Sequence, residues 1–317
     1  MNRLTILLIL LILGSPLISV AYAENYTPIN VVGEVYLPFS FPADDGTNIT
    51  GFSVELLEQI SNLSGVKINN LKLMPWEQAY NLTLNNKDTI VLAIYKTPER
   101  EGSFLFIGPI AKDYSTIFLL EDSNISINSA DDLKKMKIGA VSKDAGIDIL
   151  KSIGVPDSQI ITGSNLPAIS SDLKNHTTDG FIYGEDAVID FAYKTKSTFK
   201  IGIRLKEEPV YFGINKNSSI ATASALEVAL QQAMLSKNGT TSDYENLADM
   251  YRVHMVEINE TTSSSITQTQ VALESASVAP PTSSSAATTT KKSPGILPLT
   301  CIIGLSLIAI FFARNKP

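Results

Sequence analysis

The stretch MPWEQAYNLTLNNKDTIVLAIYKTPEREGSFLFIGPI, Met74 to Ile110, carries the reading on which the fold turns. Trp76 to Leu84 places Tyr80 and Leu84 on one side, as an amphipathic helix does. Thr89 to Ile94 is a short apolar run of the kind that forms a strand buried on both faces. Tyr95 ends that run, and a charged knot follows, Lys96-Thr97-Pro98-Glu99-Arg100, before a second apolar run from Phe104 to Ile107. In open α/β sheets ligands sit beyond the carboxyl ends of strands, so the exit loop of Thr89–Ile94 is a place for a binding group. A guanidinium there can hold a carboxylate with two parallel charge-assisted hydrogen bonds. The other reading of Arg100 is a tie that holds the turn, rigidified by Pro98, through Glu99 or a carbonyl.

Outward from this stretch, strands and helices alternate. Ile29–Tyr36, Lys67–Leu73 and Ser115–Leu120 read as strands, and Phe52, Leu56, Ile60 and Leu63 share one helical face. A second unit opens at Ser129-Ala-Asp-Asp-Leu, a helix start with acids in its first turn. Strands are expected at Lys137–Val141, Gln159–Thr162, Asp179–Tyr183, Lys200–Leu205 and Val210–Ile214. Helices are expected at Ala145–Ile153, Leu166–Asn175, Ala187–Tyr193, Ala221–Leu235 and Asp243–Tyr251. This alternation implies parallel sheets covered on both faces.

The ends have a different character. Met1-Asn2-Arg3, the apolar run Leu4–Val20 and Ala21-Tyr22-Ala23 read as a secretory signal peptide over 1–23, or as an uncleaved anchor. Residues 258–294 are rich in Ser and Thr, with Pro280-Pro281, and cannot bury enough apolar surface to fold, so they read as a disordered stalk. Ile296–Phe312 is apolar and Arg314 and Lys316 follow it, which makes 295–313 a membrane helix entered from outside, or a sorting signal. Sequons at Asn25, Asn48, Asn62, Asn81, Asn124, Asn175, Asn217, Asn238 and Asn259 fit an outward-facing glycoprotein. The one cysteine, Cys301, falls in the apolar tail, so no disulfide framework holds the fold. Net charge is -7 and no dense basic patch occurs, which argues against a nucleic-acid partner. The mean hydropathy of +0.12 is inflated by the two apolar ends.

Between those ends lie roughly 230 residues, room for one large or two modest domains. The order of pieces there resembles the extracellular solute-binding proteins of ABC importers, amino-acid type (family 3). YLPFSFPADDGTNITGFSVELLEQIS is similar to the family's opening, the stretch Met74–Ile110 to its middle, DDLKKMKIGAVSKDAGIDILKSIG to the entry of its second lobe, and TTDGFIYGEDAVIDFAY to a later strand–helix unit. The likeness runs from about Asn30 to Met255. It implies an α/β, two-lobed periplasmic-binding-protein-like fold (type II), each lobe a sheet flanked by helices, with two crossing hinge strands. Lobe one is then 24–114 plus 207–257 and lobe two 115–206, with crossings near Ala111–Ser115 and Lys206–Tyr211. The tail Ser293-Pro294-Gly295, with Ile296 where Phe is usual, resembles archaeal C-terminal sorting signals, which implies an archaeal cell surface.

The resemblance gives Arg100, with Thr97 of the same motif, the ligand's carboxylate. Lys96 reads equally as a ligand contact or a solvated cation. Tyr95, Phe39 and Trp76 are aromatic candidates for the cleft wall, with a core role as the alternative for Trp76. Lys143, Asp144 and Ala145 lie between a strand and a helix start, where backbone N–H groups would meet an anion, or where Asp144 simply caps the helix. Amino-acid receptors place an Asp just after the Asp179-type strand to grip the ligand's amino group. Here Gly184 stands at that offset, and Glu185 substitutes by a small shift or the ligand is another carboxylate-bearing molecule. The leading reading is therefore a surface-anchored receptor that delivers a small polar or carboxylate ligand to an ABC permease, with no metal or cofactor. The alternatives are an enzyme on the same scaffold, for which Glu34 and Glu185 are the available carboxylates, or a surface glycoprotein without a ligand.

Overall fold

The computed structural model describes residues 26–256. The expected signal segment 1–23, the stalk 258–294, the apolar tail 295–313 and Cys301 lie outside the described residues. Among the described residues no helix is long and apolar enough to cross a membrane.

Eight strands form one mixed sheet: β1 (Ile29–Gly33), β2 (Ile68–Leu73), β3 (Thr89–Tyr95), β4 (Phe104–Leu120), β5 (Ile138–Val141), β6 (Ile160–Gly163), β7 (Gly180–Gly184) and β8 (Phe199–Asn215). Their order is β2-β1-β3-β8-β4-β7-β5-β6. The outer trios are parallel, as the strand–helix alternation implies. The middle is not: β8 runs antiparallel to β3 and β4, and β4 antiparallel to β7. The runs expected as separate strands at Lys200–Leu205 and Val210–Ile214 are one strand of 17 residues, and Ser115–Leu120 is the end of another, β4, also 17 residues long. Charged residues such as Lys112, Glu207 and Glu208 interrupt the apolar pattern where these strands pass between the lobes, which is why the sequence reads as breaks. The crossing segments pair with each other, Ala111 opposite Val210 and Ser115 opposite Lys206, with register shifts at Arg204/Lys206 and Val210/Phe212.

The helices are α1 (Phe52–Ser64), α2 (Trp76–Asn85), α3 (Pro98–Glu101), α4 (Ala145–Ser152), α5 (Leu166–Lys174), α6 (Glu185–Thr195), α7 (Ile220–Leu235) and α8 (Asp243–Tyr251). Local chemistry sets their ends. Asp144, Asn165, Ser219 and Ser242 accept a backbone N–H in the first turn of α4, α5, α7 and α8. The helix expected at Ser129 is a 3-10 helix, Ala130–Lys135, with a capping box from Ser129 and Asp132. The result is a two-lobed fold, each lobe a sheet with flanking helices. One continuous apolar cluster runs through lobe one, with Leu56, Ile90, Phe212 and Leu226, and reaches lobe two at Val141, Ile169 and Phe181. A second cluster, with Ile138, Leu150 and Ile182, fills the other face of lobe two.

Two backbone features aim residues at the cleft. Ala93, inside β3, has φ 50, and the register of β8 against β3 shifts beside it, between Tyr211 and Gly213. Such an irregularity bends the strand and redirects its exit. Gly51, before α1, has φ 124, and a Cβ there would lie 2.4 Å from the Phe39 carbonyl oxygen. That contact fastens the turn Tyr36–Ser40 against α1. Gly51→Ala is expected to lower stability by about 2–3 kcal/mol, read as a lower denaturation midpoint. An unchanged midpoint would show that the turn does not rest on this approach.

Candidate functional site

Arg100 is only 2 % exposed although it lies in a four-residue helix on a loop. Its Nη1 donates to the Tyr95 carbonyl at 3.0 Å, which ties the turn, and its Nη2 donates across the cleft to the Lys143 carbonyl at 2.8 Å. The Trp76 and Tyr80 rings lie on the guanidinium, each centroid 5.4 Å away. Trp76 Nε1 donates to the same Lys143 carbonyl at 2.9 Å. Among the described residues no carboxylate forms an ion pair with Arg100. A buried guanidinium with five N–H donors and only two accepting carbonyls keeps capacity for an anion. Both readings of Arg100 thus have a physical counterpart: it ties the turn and it faces the crevice.

Arg100, Tyr95, Trp76 and Asp144 meet around one central cavity of about 10 Å3, walled also by Glu34, Tyr36 and Ala93. That is room for one water at most. On one side Arg100 and Asp144 also border a polar cavity of about 520 Å3. On the other side Glu34 borders an apolar one of about 360 Å3.

The remaining sequence-derived candidates are placed elsewhere or differently. Lys96 turns outward, 3.5 Å from Glu101 and over the Phe106 ring. Phe39 is fully buried, stacked on Tyr36 and edge-on to Phe52, so it supports the wall rather than forming it. Thr97 is buried, with its hydroxyl lacking a partner. Ala145 is buried at the start of α4. The helix start there does not present free N–H groups to an anion. Asp144's own carboxylate accepts from Gly146 N at 2.8 Å. Lys143, at φ 63, turns a carbonyl into the cleft, so this loop offers an acceptor. Glu185 is drawn away by Arg204, whose Nε and Nη2 donate to it at 2.6 and 2.5 Å, and by the Thr116 hydroxyl at 2.9 Å. Hydrogen bonds from Arg204 hold its carboxyl below the usual range despite its burial.

Three residues that the ligand set omitted complete the site. A Cβ on Gly184 would lie 1.8 Å from Tyr36 Oη and 2.5 Å from Asp113 Oδ2, so the space of the absent side chain is filled by these groups. Asp113 comes from the crossing part of β4. Its Oδ2 accepts from Tyr36 and Tyr95 hydroxyls at 2.7 and 2.9 Å, and its Oδ1 from the Tyr114 and Asp186 N–H groups at 2.7 and 3.3 Å. The two hydroxyls are themselves 2.7 Å apart. Both hydroxyls point their hydrogens at the Asp113 carboxyl, so the three oxygens form one tight buried cluster. Burial pushes that carboxyl up. No sequence motif announced Asp113, because it sits among charged residues of the hinge strand that read as solvated.

Glu34 is the third. It is 8 % exposed, beside Asp144 and the Tyr183 hydroxyl. That hydroxyl is buried and forms no hydrogen bond of good geometry. Burial, then the neighbouring Asp144, push the Glu34 carboxyl up to about 8, against a smaller lowering by Tyr183. Asp186, next to Asp113 and 3.3 Å from His254 Nδ1, is pushed up to about 7, by burial first and then by Asp113. Between the ordinary carboxylate range and these values the folded chain holds protons that the unfolded chain has released, so rising pH lowers stability. The melting temperature of unliganded protein is therefore expected to fall between about pH 5 and about pH 8, and Glu34→Gln to flatten part of that slope, with Asp186 supplying the rest. An identical slope in Glu34→Gln would assign it to other groups.

A profile of the bacterial extracellular solute-binding proteins, family 3, matches residues 29–276. The L-cystine-binding protein TcyJ of Escherichia coli (strain K12) is 27 % identical over 167 residues, 52 % of this chain and 62 % of that protein. A crystal structure of a histidine kinase sensor domain with similarity to periplasmic binding proteins superposes with TM-score 0.65 at 17 % identity, over 73 % of this chain and 99 % of that one. The substrate binding protein of an amino acid ABC transporter does so with TM-score 0.60 at 20 % identity, over 71 % of this chain and 99 % of that one. The two structural likenesses speak for the fold. The chain belongs to the bacterial extracellular solute-binding proteins, family 3.

Proposed function

We propose that this protein is the ligand-capturing receptor of an ABC importer, holding a small amino-acid-like or carboxylate solute between its lobes. The observation that carries this reading is Arg100, a buried cation in the crevice with no carboxylate partner among the described residues. A ligand carboxylate would take the place of the Lys143 carbonyl on Nη2 and complete a bidentate pair. Lobe one is 24–114 plus 207–257 and lobe two 115–206. They open about the paired crossing segments of β4 and β8, and closing on the solute is a hinge motion. The names of the relatives, L-cystine-binding and amino-acid transporter-binding proteins, favour a binding role over an enzymatic one.

In the same reading the signal segment sends the chain to the outer face of an archaeal cell membrane. The stalk 258–294 and the segment 295–313, retained or exchanged for a lipid, tether it there. Tethering raises the receptor's effective concentration at its permease. The sequon residues Asn48, Asn62, Asn81, Asn124, Asn175 and Asn217 are all exposed, as glycan acceptors must be.

Titration calorimetry of the full-length chain with amino acids, cystine and small carboxylates tests the reading. At least one is expected to bind, and Arg100→Ala to weaken it about a hundredfold. Trp76 is the chain's one tryptophan, so its emission reports the cleft directly: ligand should shift the spectrum of wild type and leave that of Arg100→Ala unchanged. Absence of heat and of any spectral change with every solute would rule the receptor reading out.

A further inference from the structure

Resting on the receptor reading, we propose that the solute is an α-amino acid with an apolar side chain, its carboxylate on Arg100, its ammonium on Glu34 and its side chain in the apolar cavity beyond Glu34. The argument is one of three directions from a single carbon.

The carboxylate direction is set by Arg100. It stands between the central cavity and the polar one and borders both, so a carboxylate bound there occupies the exit towards the polar side.

The ammonium direction follows from which buried carboxylates are already engaged. Asp113 has four hydrogen bonds from protein donors. Glu185 is held by Arg204 and Thr116. Asp144 caps α4. The Glu34 carboxyl has no hydrogen bond of good geometry among the described residues, lies on the wall of the same small cavity as Arg100, and belongs to a residue more than nine-tenths buried. An alkylammonium beside it would receive the charge-assisted acceptor that Gly184 does not supply, and would offset the cost of a buried carboxylate that forms no ion pair among the described residues. Burial keeps that carboxyl protonated in the empty cleft, and an arriving cation favours its ionised form.

The third direction is the one left open. Glu34 alone borders both the central and the apolar cavity. The latter, about 360 Å3, is walled by Val35, Leu37, Leu73 and Met74 from one lobe and by Leu166 and Phe191 from the other. Its size is within the range of small-molecule pockets, at the lower end. Apart from Glu34 its one polar side chain is Asn165, whose oxygen caps α5 by accepting from Ala168 N at 2.9 Å. A carboxylate or guanidinium side chain entering here would be stripped of water with no counter-charge left for it. A branched, aromatic or thioether side chain would bury apolar surface against both lobes and so favour the closed form.

Calorimetry of the full-length protein with leucine, phenylalanine, methionine, arginine, glutamate and 4-methyl-2-oxopentanoate separates these contributions. The last compound is leucine with its ammonium removed. Leucine, phenylalanine or methionine is expected to bind at least about tenfold tighter than arginine or glutamate, and leucine at least about tenfold tighter than its keto analogue. Glu34→Gln should abolish the preference for leucine over the keto analogue, and Phe191→Ser should weaken leucine more than it weakens any residual arginine binding. The ligand series with unmodified protein needs no variant to fold. Preferred binding of arginine, glutamate or the keto acid would overturn this inference and leave the receptor reading standing. Binding of no solute at all would overturn both.

Discussion

A buried guanidinium must be answered by acceptors, and in this protein the answer comes from both sides of a cleft. Arg100 reaches the Tyr95 carbonyl on its own lobe and the Lys143 carbonyl on the other, and Trp76 donates to that same Lys143 oxygen. One carbonyl oxygen thus holds two donors from the facing lobe. It can do so because Lys143 adopts a left-handed backbone conformation just before α4. The contact closes the crevice down to a space for about one water, and it uses the very groups a ligand would use. In the proposed receptor role, closure without solute and closure on solute would compete for the same donors, and the balance between them would set how tightly a solute is held.

Around that contact the acids divide by what holds them. Glu185 is paired with Arg204, whose hydrogen bonds lower its carboxyl pKa. Asp113 is sealed between two tyrosine hydroxyls and two N–H groups, and Asp144 is spent on a helix start. Of these four carboxyls, that of Glu34 is the one without a donor of good geometry among the described residues. This division is electrostatic rather than compositional: the four carboxyls are chemically alike, and only their neighbours distinguish a structural acid from an available one. It also gives a physical account of Gly184 at the position where the resemblance implies an acid. The space is not empty, because Tyr36 and Asp113 fill it from lobe one and the hinge strand.

Much of the fold is legible in the sequence because its signals are local. Periodicity places α1, α2, α7 and α8 and the short apolar strands β3, β5 and β7 to within a residue or two. The Thr-Pro-Glu-Arg turn marks Arg100 as a residue at the mouth of a sheet. The long hinge strands were the harder case. Their apolar pattern lapses at Lys112–Tyr114 and Lys206–Glu208, where pairing between two backbones, not side-chain burial, keeps them extended.

By itself the sequence determined the two-lobed α/β class and the loop that bears Arg100, since each follows from short-range pattern or from motif order. Only the tertiary structure decided which side chains share the cleft. Lys96, beside the Thr-Pro-Glu-Arg motif, faces solvent and Phe39 faces the core, while Glu34, Tyr36 and Asp113 come together from positions up to 79 residues apart, counted from Glu34 to Asp113. Direction from the backbone, and the partner that claims each charge first, are properties of the folded neighbourhood, and no spacing along the chain encodes them.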